Sequence, residues 1–168
     1  MRVLGLDPGL AITGYGFVEG EGLRLSPLAF GVVRTPSRTP TAERLVRLHD
    51  ELSELLARYR PDVAAVEELF LDTNASTAMK VGEARGVLLL TLAQAGVAVV
   101  EYTPMQVKQA VTGYGGADKQ QMQQMVALLL NLPQIPRPDD AADALAISLC
   151  HHQSMGWDAL LKQNGGQL

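Results

Sequence analysis

Hydrophobic periodicity changes near residue 40, and that change constrains the fold more tightly than any other feature of the chain. Before it, Val3-Leu4-Gly5-Leu6 is a short apolar run ended by Asp7-Pro8-Gly9, where Pro and Gly favour a turn. Thr13 to Val18 then alternates in strand fashion up to the polar Glu19-Gly20-Glu21-Gly22, and Leu23 to Val33 is another extended, β-branched stretch. Beyond residue 40, Ala42, Leu45, Leu48, Leu52, Leu55 and Leu56 recur at three- and four-residue spacing, which predicts an amphipathic helix ending near Tyr59-Arg60-Pro61. Val63 to Val66 predicts a fourth strand, Ala75 to Ala95 a long helix closed by Gly96, and Val97 to Val100 a fifth strand. Helices are expected from Thr103-Pro104, from Lys119 to Leu130, and from Asp140 to Cys150, the last entered through acidic residues that suit the positive end of its dipole. A meander followed by helical crossovers predicts an α/β fold, a five-stranded mixed sheet flanked by helices. Ligands in such a sheet belong near the carboxyl ends of the parallel strands.

The 168 residues, 47% hydrophobic and 19% charged, fit one domain, expected over residues 1–152, with 153–168 as a mobile tail. No stretch repeats at the periods of solenoid proteins. Fourteen Lys and Arg against eighteen Asp and Glu give a net charge of −4, so any polyanion must bind a local patch rather than a global basic field. The single cysteine, Cys150, excludes an intramolecular disulfide framework and is expected as a packed helical thiol. MRVLGLDPG has neither a signal-type apolar core nor a spanning segment, and a cytoplasmic location is expected.

Three acidic positions stand where apolar elements stop: Asp7 after the first strand, Glu67 after the fourth, and Asp140 with Asp143 at the start of the last helix. Taken singly, each has a plainer reading. Asp7 can serve a turn, Glu67 beside Glu68 can be a solvated strand end, and Asp140 and Asp143 can cap a helix. Taken together they can converge, because residues three apart share a helix face and the first and fourth strands can be neighbours. Converging carboxylates raise one another's pKa unless a counter-charge is present. Oxygen-only ligands favour Mg²⁺ or Mn²⁺ over Zn²⁺, and two such ions would balance four carboxylates. Two ions also suit phosphodiester hydrolysis, one activating the attacking water and the other stabilising the leaving 3′-oxygen. Setting the four acids aside leaves fourteen against fourteen bases, a neutral remainder.

These residues resemble the RuvC family of Holliday-junction resolvases over Arg2 to about His152. The matching pieces are LGLDPGLAITGYG, DVAAVEELFLDTNASTAMKVGEARG, EYTPMQVKQAVTGYGGADKQQMQQMV and DDAADALAISLCHH. The resemblance implies a ribonuclease-H-like fold and a homodimeric, Mg²⁺-dependent endonuclease that nicks two opposing strands of a four-way DNA junction, leaving 5′-phosphates and 3′-hydroxyls, with two metal ions per site and Mn²⁺ as a possible substitute. It implies the branch-migration proteins RuvA and RuvB as partners. By position, the family's catalytic and metal-binding acids fall on Asp7, Glu67, Asp140 and Asp143.

The same resemblance assigns Phe70 to stacking on an unpaired base, which is worth about 1–3 kcal/mol, and Lys108 and Lys119 to the DNA backbone. Lys80 and Arg85 are further candidates for DNA contact, and Asn74 can touch phosphate or cap the long helix. Gly113-Tyr114-Gly115-Gly116 lacks the GxxxxGK[ST] spacing of a nucleotide-binding loop and is expected as a turn between helices. His151 and His152 are expected at the surface, at the end of the last helix, with no catalytic role. Val87 to Leu92 is apolar around much of the long helix, so a second buried face is expected there, which the resemblance makes a two-fold dimer contact. Two other classes are weighed against the nuclease. An actin-like or sugar-kinase nucleotide-binding domain shares the strand-Asp-turn-strand opening but needs two lobes, more than this length supplies. A junction-binding protein without catalysis would have no need of all four acids.

Overall fold

The computed structural model describes residues 1–22, 24–68 and 75–164, with backbone only at 75 and 156–164. The strands β1 (Arg2–Asp7), β2 (Ile12–Glu21) and β3 (Arg24–Arg34) form an antiparallel meander. Next come α1 (Thr41–Tyr59), β4 (Val63–Glu67), α2 (Ala75–Gln94) and β5 (Ala98–Tyr102), then α3 (Pro104–Thr112), α4 (Lys119–Leu129) and α5 (Asp139–Asn164). The sheet order is β3-β2-β1-β4-β5, with β1 parallel to β4 and β4 parallel to β5. The expected five-stranded mixed sheet flanked by helices is therefore present, with β1 at its centre.

Strand alternation decides which side chains meet which helices. Leu4, Leu6, Phe17, Ala64 and Val66 point to one core with Leu48 and Leu52 of α1 and Leu88 and Leu92 of α2. Val3, Val18, Val63 and Ala65 point the other way, to Val107 of α3, Val126 of α4 and Leu145 and Leu149 of α5. Asp7 continues the face of Val3, and Glu67 continues the face of Val63 and Ala65. Both carboxylates thus emerge on the α5 side of the sheet, at the carboxyl ends of adjacent parallel strands.

Helix α5 can lie against that face because the strands carry glycine beneath it. A Cβ on Gly5 would come 2.0 Å from the Ala144 carbonyl oxygen, and one on Gly14 would come 2.0 Å from that of Asp140. The fully buried Ser148 straps the helix down, donating from its hydroxyl to the Gly16 carbonyl at 2.8 Å. Alanines 141, 142, 144 and 146, all buried, keep the helix face small enough for this approach.

Two expectations change. The last helix does not stop near residue 152 but runs on to Asn164. His151 and His152 are accordingly mid-helix and buried, at 5% and 6% exposure, rather than at the surface. His151 Nδ1 shares a 2.8 Å hydrogen bond with the Tyr102 hydroxyl, and His152 Nε2 lies 3.2 Å from the Val18 carbonyl. Burial, reinforced for His151 by its neighbour His152, holds both imidazoles below the usual histidine value. Cys150 is buried as expected, and burial pushes its thiol up to about 11. Among the described residues no helix is long and apolar enough to cross a membrane.

Candidate active site

Asp7, Glu67 and Asp143 line one pocket of about 260 Å³ together with Lys108, Asp118 and Lys119. Asp7 sits where β1 ends, in a turn closed by the buried Thr13, whose hydroxyl donates to the Gly9 carbonyl at 2.7 Å. The turn sets β2 antiparallel beside β1 while leaving the Asp7 carboxylate at the end of the central strand, on the α5 side of the sheet. The Asp7 carboxyl is pushed up to about 7, first by burial and then by the negative charges of Asp143, Glu67 and Asp140. Burial also raises Glu67, with Asp143 adding to it and Lys108 opposing. Asp7 therefore feels the other three acids, although Asp140 lines a neighbouring groove with the segment 9–12, Ser37, Arg44, Thr77 and Lys80 instead of the pocket itself.

Each pocket cation is delivered by a capped helix. Thr103 and Gln106 form a capping box that starts α3, the threonine hydroxyl accepting from the Gln106 backbone N–H at 3.2 Å, and Lys108 follows on its first turns. Asp118 and Gln121 do the same for α4, with Asp118 Oδ1 accepting from the Gln121 N–H at 2.8 Å, and Lys119 is the first helical residue. The spacing T-x-x-Q and D-x-x-Q is the signal from which both helix starts can be read.

Lys119 Nζ lies 3.4 Å from Asp143 Oδ2 and 3.3 Å from Asp139 Oδ2, and Arg137 Nη1 lies 2.5 Å from Asp139 Oδ1. Burial works against the Lys119 ammonium, but Asp143 and Asp139 outweigh it and lift its pKa above the usual lysine value. For Asp143 the balance is reversed: burial raises its carboxyl more than Lys119 lowers it. Asp139, hydrogen-bonded to Lys119, is held below the usual carboxylate range. Asp139 is thus a partner of Lys119 that sequence reasoning passed over: four residues before Asp143, it shares that residue's helix face, whereas Asp140 faces the neighbouring groove.

Of the DNA-contact candidates, Lys108 and Lys119 line the acidic pocket and Lys80 lines the adjoining groove. Arg85 reaches neither; it forms a 2.7 Å ion pair with Glu101 of β5, and its side chain is only 16% exposed. Phe70 and Asn74 lie outside the described residues.

No three described His, Cys, Asp or Glu side chains stand together as a preformed metal-holding group. The donor chemistry nonetheless fits hard divalent cations: oxygen ligands alone, and an Asp7 carboxyl that burial and three like charges push up to about 7 even with the Lys119 ammonium opposing them.

Comparison with known proteins gives this arrangement a lineage. The family model described as crossover junction endodeoxyribonuclease RuvC matches residues 3–151. The RuvC of Thermomicrobium roseum is 60% identical over 153 residues, covering 91% of this chain and 93% of that protein. The RuvC of Desulfitobacterium hafniense is 55% identical over 168 residues, 100% of both chains. Among solved structures, T. thermophilus RuvC in complex with Holliday junction substrate superposes with a TM-score of 0.89 at 44% identity, covering 93% of this chain and 96% of that one. The chain belongs to the RuvC family of crossover junction endodeoxyribonucleases.

Proposed function

We propose that this protein is a structure-selective endonuclease that resolves four-way DNA junctions by nicking two opposing strands, leaving 5′-phosphates and 3′-hydroxyls. The observation that carries the reading is the gathering of Asp7, Glu67 and Asp143 in one pocket with Lys108 and Lys119, in a chain of the RuvC family. Nucleases of this family are metal-dependent. Asp7, Glu67, Asp140 and Asp143 are the proposed catalytic acids and the ligands of two Mg²⁺ ions, for which Mn²⁺ can substitute. Bound there, the ions would activate the attacking water and neutralise charge on the leaving 3′-oxygen.

The chain's own groups do the rest. Lys108 and Lys119 bring two positive charges to the rim of an acidic pocket that would otherwise repel a phosphodiester. Lys119, already shared between Asp139 and Asp143, can exchange a carboxylate partner for a phosphate oxygen. Phe70 is the proposed stacking residue, and Asn74 and Lys80 are proposed backbone contacts. A homodimer is proposed because one site per protomer related by a two-fold axis matches two symmetric nicks. The exposed Met79 and Leu90 of α2, at 69% and 57%, support a further apolar face on that helix. RuvA and RuvB are its proposed partners and the cytoplasm its proposed location, both on family resemblance.

The test is incubation of the purified protein with a labelled four-way junction and a matched linear duplex, each with Mg²⁺, with Mn²⁺ and with EDTA. Paired symmetric nicks confined to the junction and to the metal-containing reactions are expected. Tight junction binding with no nicks in either metal would replace the nuclease by a non-catalytic junction binder.

A further inference from the structure

On the far side of Asp140 from the acidic pocket, a groove of about 490 Å³ runs between the turn that follows Asp7, the β3–α1 connection and α2. Its polar lining is Ser37, Arg44, Thr77, Lys80 and Asp140. We propose that this groove is a second phosphate-binding subsite, which holds the DNA backbone flanking the cleaved position. The proposal rests on the junction-endonuclease reading above and extends it to residues outside the acidic pocket.

The cations are placed for an anion. Arg44 Nε donates to the Thr35 hydroxyl at 2.8 Å, and the buried Thr35 hydroxyl in turn donates to the Leu10 carbonyl. The guanidinium is thereby anchored through one N–H to the turn that carries Asp7, while its terminal N–H groups make no other bond among the described residues. Such an anchored fork is pre-organised for phosphate oxygens. Lys80, exposed on α2, reaches the same groove. Neither Arg44 nor Lys80 forms an ion pair with a carboxylate among the described residues.

Asp140 is the hinge of the argument. It lines this groove within one helical turn of Asp143, which lines the acidic pocket, so the two sites adjoin at the start of α5. A strand laid over the acidic pocket passes Asp140 as it continues toward α2, and there it meets two cations against one carboxylate. Exposed hydroxyls of Ser37 and Thr77 flank the path.

The experiment is junction affinity by fluorescence anisotropy in EDTA across a salt series, for the wild type and for Arg44→Gln, Lys80→Gln, Arg44→Lys and Arg24→Gln. Each lost phosphate contact lowers the slope of log affinity against log salt by about 0.9, which corresponds to about fifteenfold weaker binding at 50 mM salt and about fourfold at 200 mM. Arg44→Gln and Lys80→Gln are expected to show this loss, and Arg44→Lys to recover most of the slope because it keeps the charge. Arg24, exposed at the far end of β3, is the control for general charge and is expected to leave the slope unchanged. Wild-type slopes in both glutamine variants, or an equal loss in Arg24→Gln, overturn the subsite. A wild type that neither prefers the junction nor nicks it with Mg²⁺ overturns the parent reading instead, so the two failures are told apart.

Discussion

Gly14 of β2 lies directly beneath the backbone of Asp140, so close that a Cβ on the glycine would stand 2.0 Å from the Asp140 carbonyl oxygen. The contact is backbone to backbone, so no rotamer change can relieve it. Replacing Gly14 with alanine is expected to lift the first turn of α5 and carry Asp140 and Asp143 away from Asp7. Misplacement of about 1 Å at a catalytic group costs on the order of 10²-fold in rate. Nicking at saturating junction is expected to fall by about that factor, with a lower melting temperature. A Gly14→Ala variant that nicks at the wild-type rate would show that α5 is positioned by something other than this contact.

The Asp7 carboxyl predicts an inverted pH dependence of stability when divalent cations are chelated. Its folded pKa is raised from 3.8 to about 7, so between those values the unfolded chain has ionised while the folded protein still holds the proton. Wild-type stability contributed by this group therefore falls as pH rises through that window and levels off above about 7. Asp7→Asn cannot ionise, so in EDTA it is expected to be more stable than wild type at pH 8, with the advantage gone by about pH 4. Urea midpoints at both pH values check this. The same variant is expected to abolish nicking while retaining junction binding, because it removes a proposed metal ligand and some repulsion of DNA together. Parallel pH profiles for the two proteins would sink the electrostatic account of the pocket.

Lys119 lowers the carboxyl pKa values of both Asp7 and Asp143. Lys119→Gln keeps a similar length but removes the ammonium that stands 3.4 Å from Asp143. Both aspartate carboxyls are expected to titrate at higher pH in the variant, as followed by carboxyl-carbon NMR in EDTA. Nicking is expected to slow as well, most strongly at low junction concentration. Unmoved titrations would mean that the ammonium does not rest on these acids in solution.

The pair of Arg85 and Glu101 predicts an asymmetry. The Arg85 side chain is 16% exposed, its Nε is buried without a hydrogen-bond partner among the described residues, and Glu101 is 45% exposed. Glu101→Gln leaves a largely buried guanidinium poorly compensated, which costs about 1–3 kcal/mol. Arg85→Met removes the cation and leaves a carboxylate that water can reach, so it is expected to cost less. Denaturant midpoints of the two variants test the order, and junction affinity tests whether Arg85, expected from the sequence to meet DNA, contributes there at all.

Much of this was legible in local patterns. The change of period near residue 40, the Asp7-Pro8-Gly9 turn and the acids at element ends are short-range signals, because hydrophobic periodicity and turn chemistry act over a few residues. The capping spacings at Thr103 and Asp118 are of the same kind, and the boundaries they set agree with α3 and α4. The end of the last helix is not set by a local pattern of this kind. The helix continues to Asn164, and His151 and His152 are buried inside it by Tyr102 and Val18, residues far away in the chain.

What the sequence by itself determined is the set of elements and which acids stand at their ends, since each follows from the order of residues along one stretch of backbone. What only the tertiary structure decided is who meets whom. Asp143 shares a pocket with Asp7 while Asp140 turns to the next groove, Asp139 takes Lys119, Arg85 takes Glu101, and Arg44 is anchored through Thr35 to the turn after Asp7. Those pairings depend on the crossing of α5 over glycine-lined strands and on burial summed from every layer of the fold, and no spacing within a single segment encodes either.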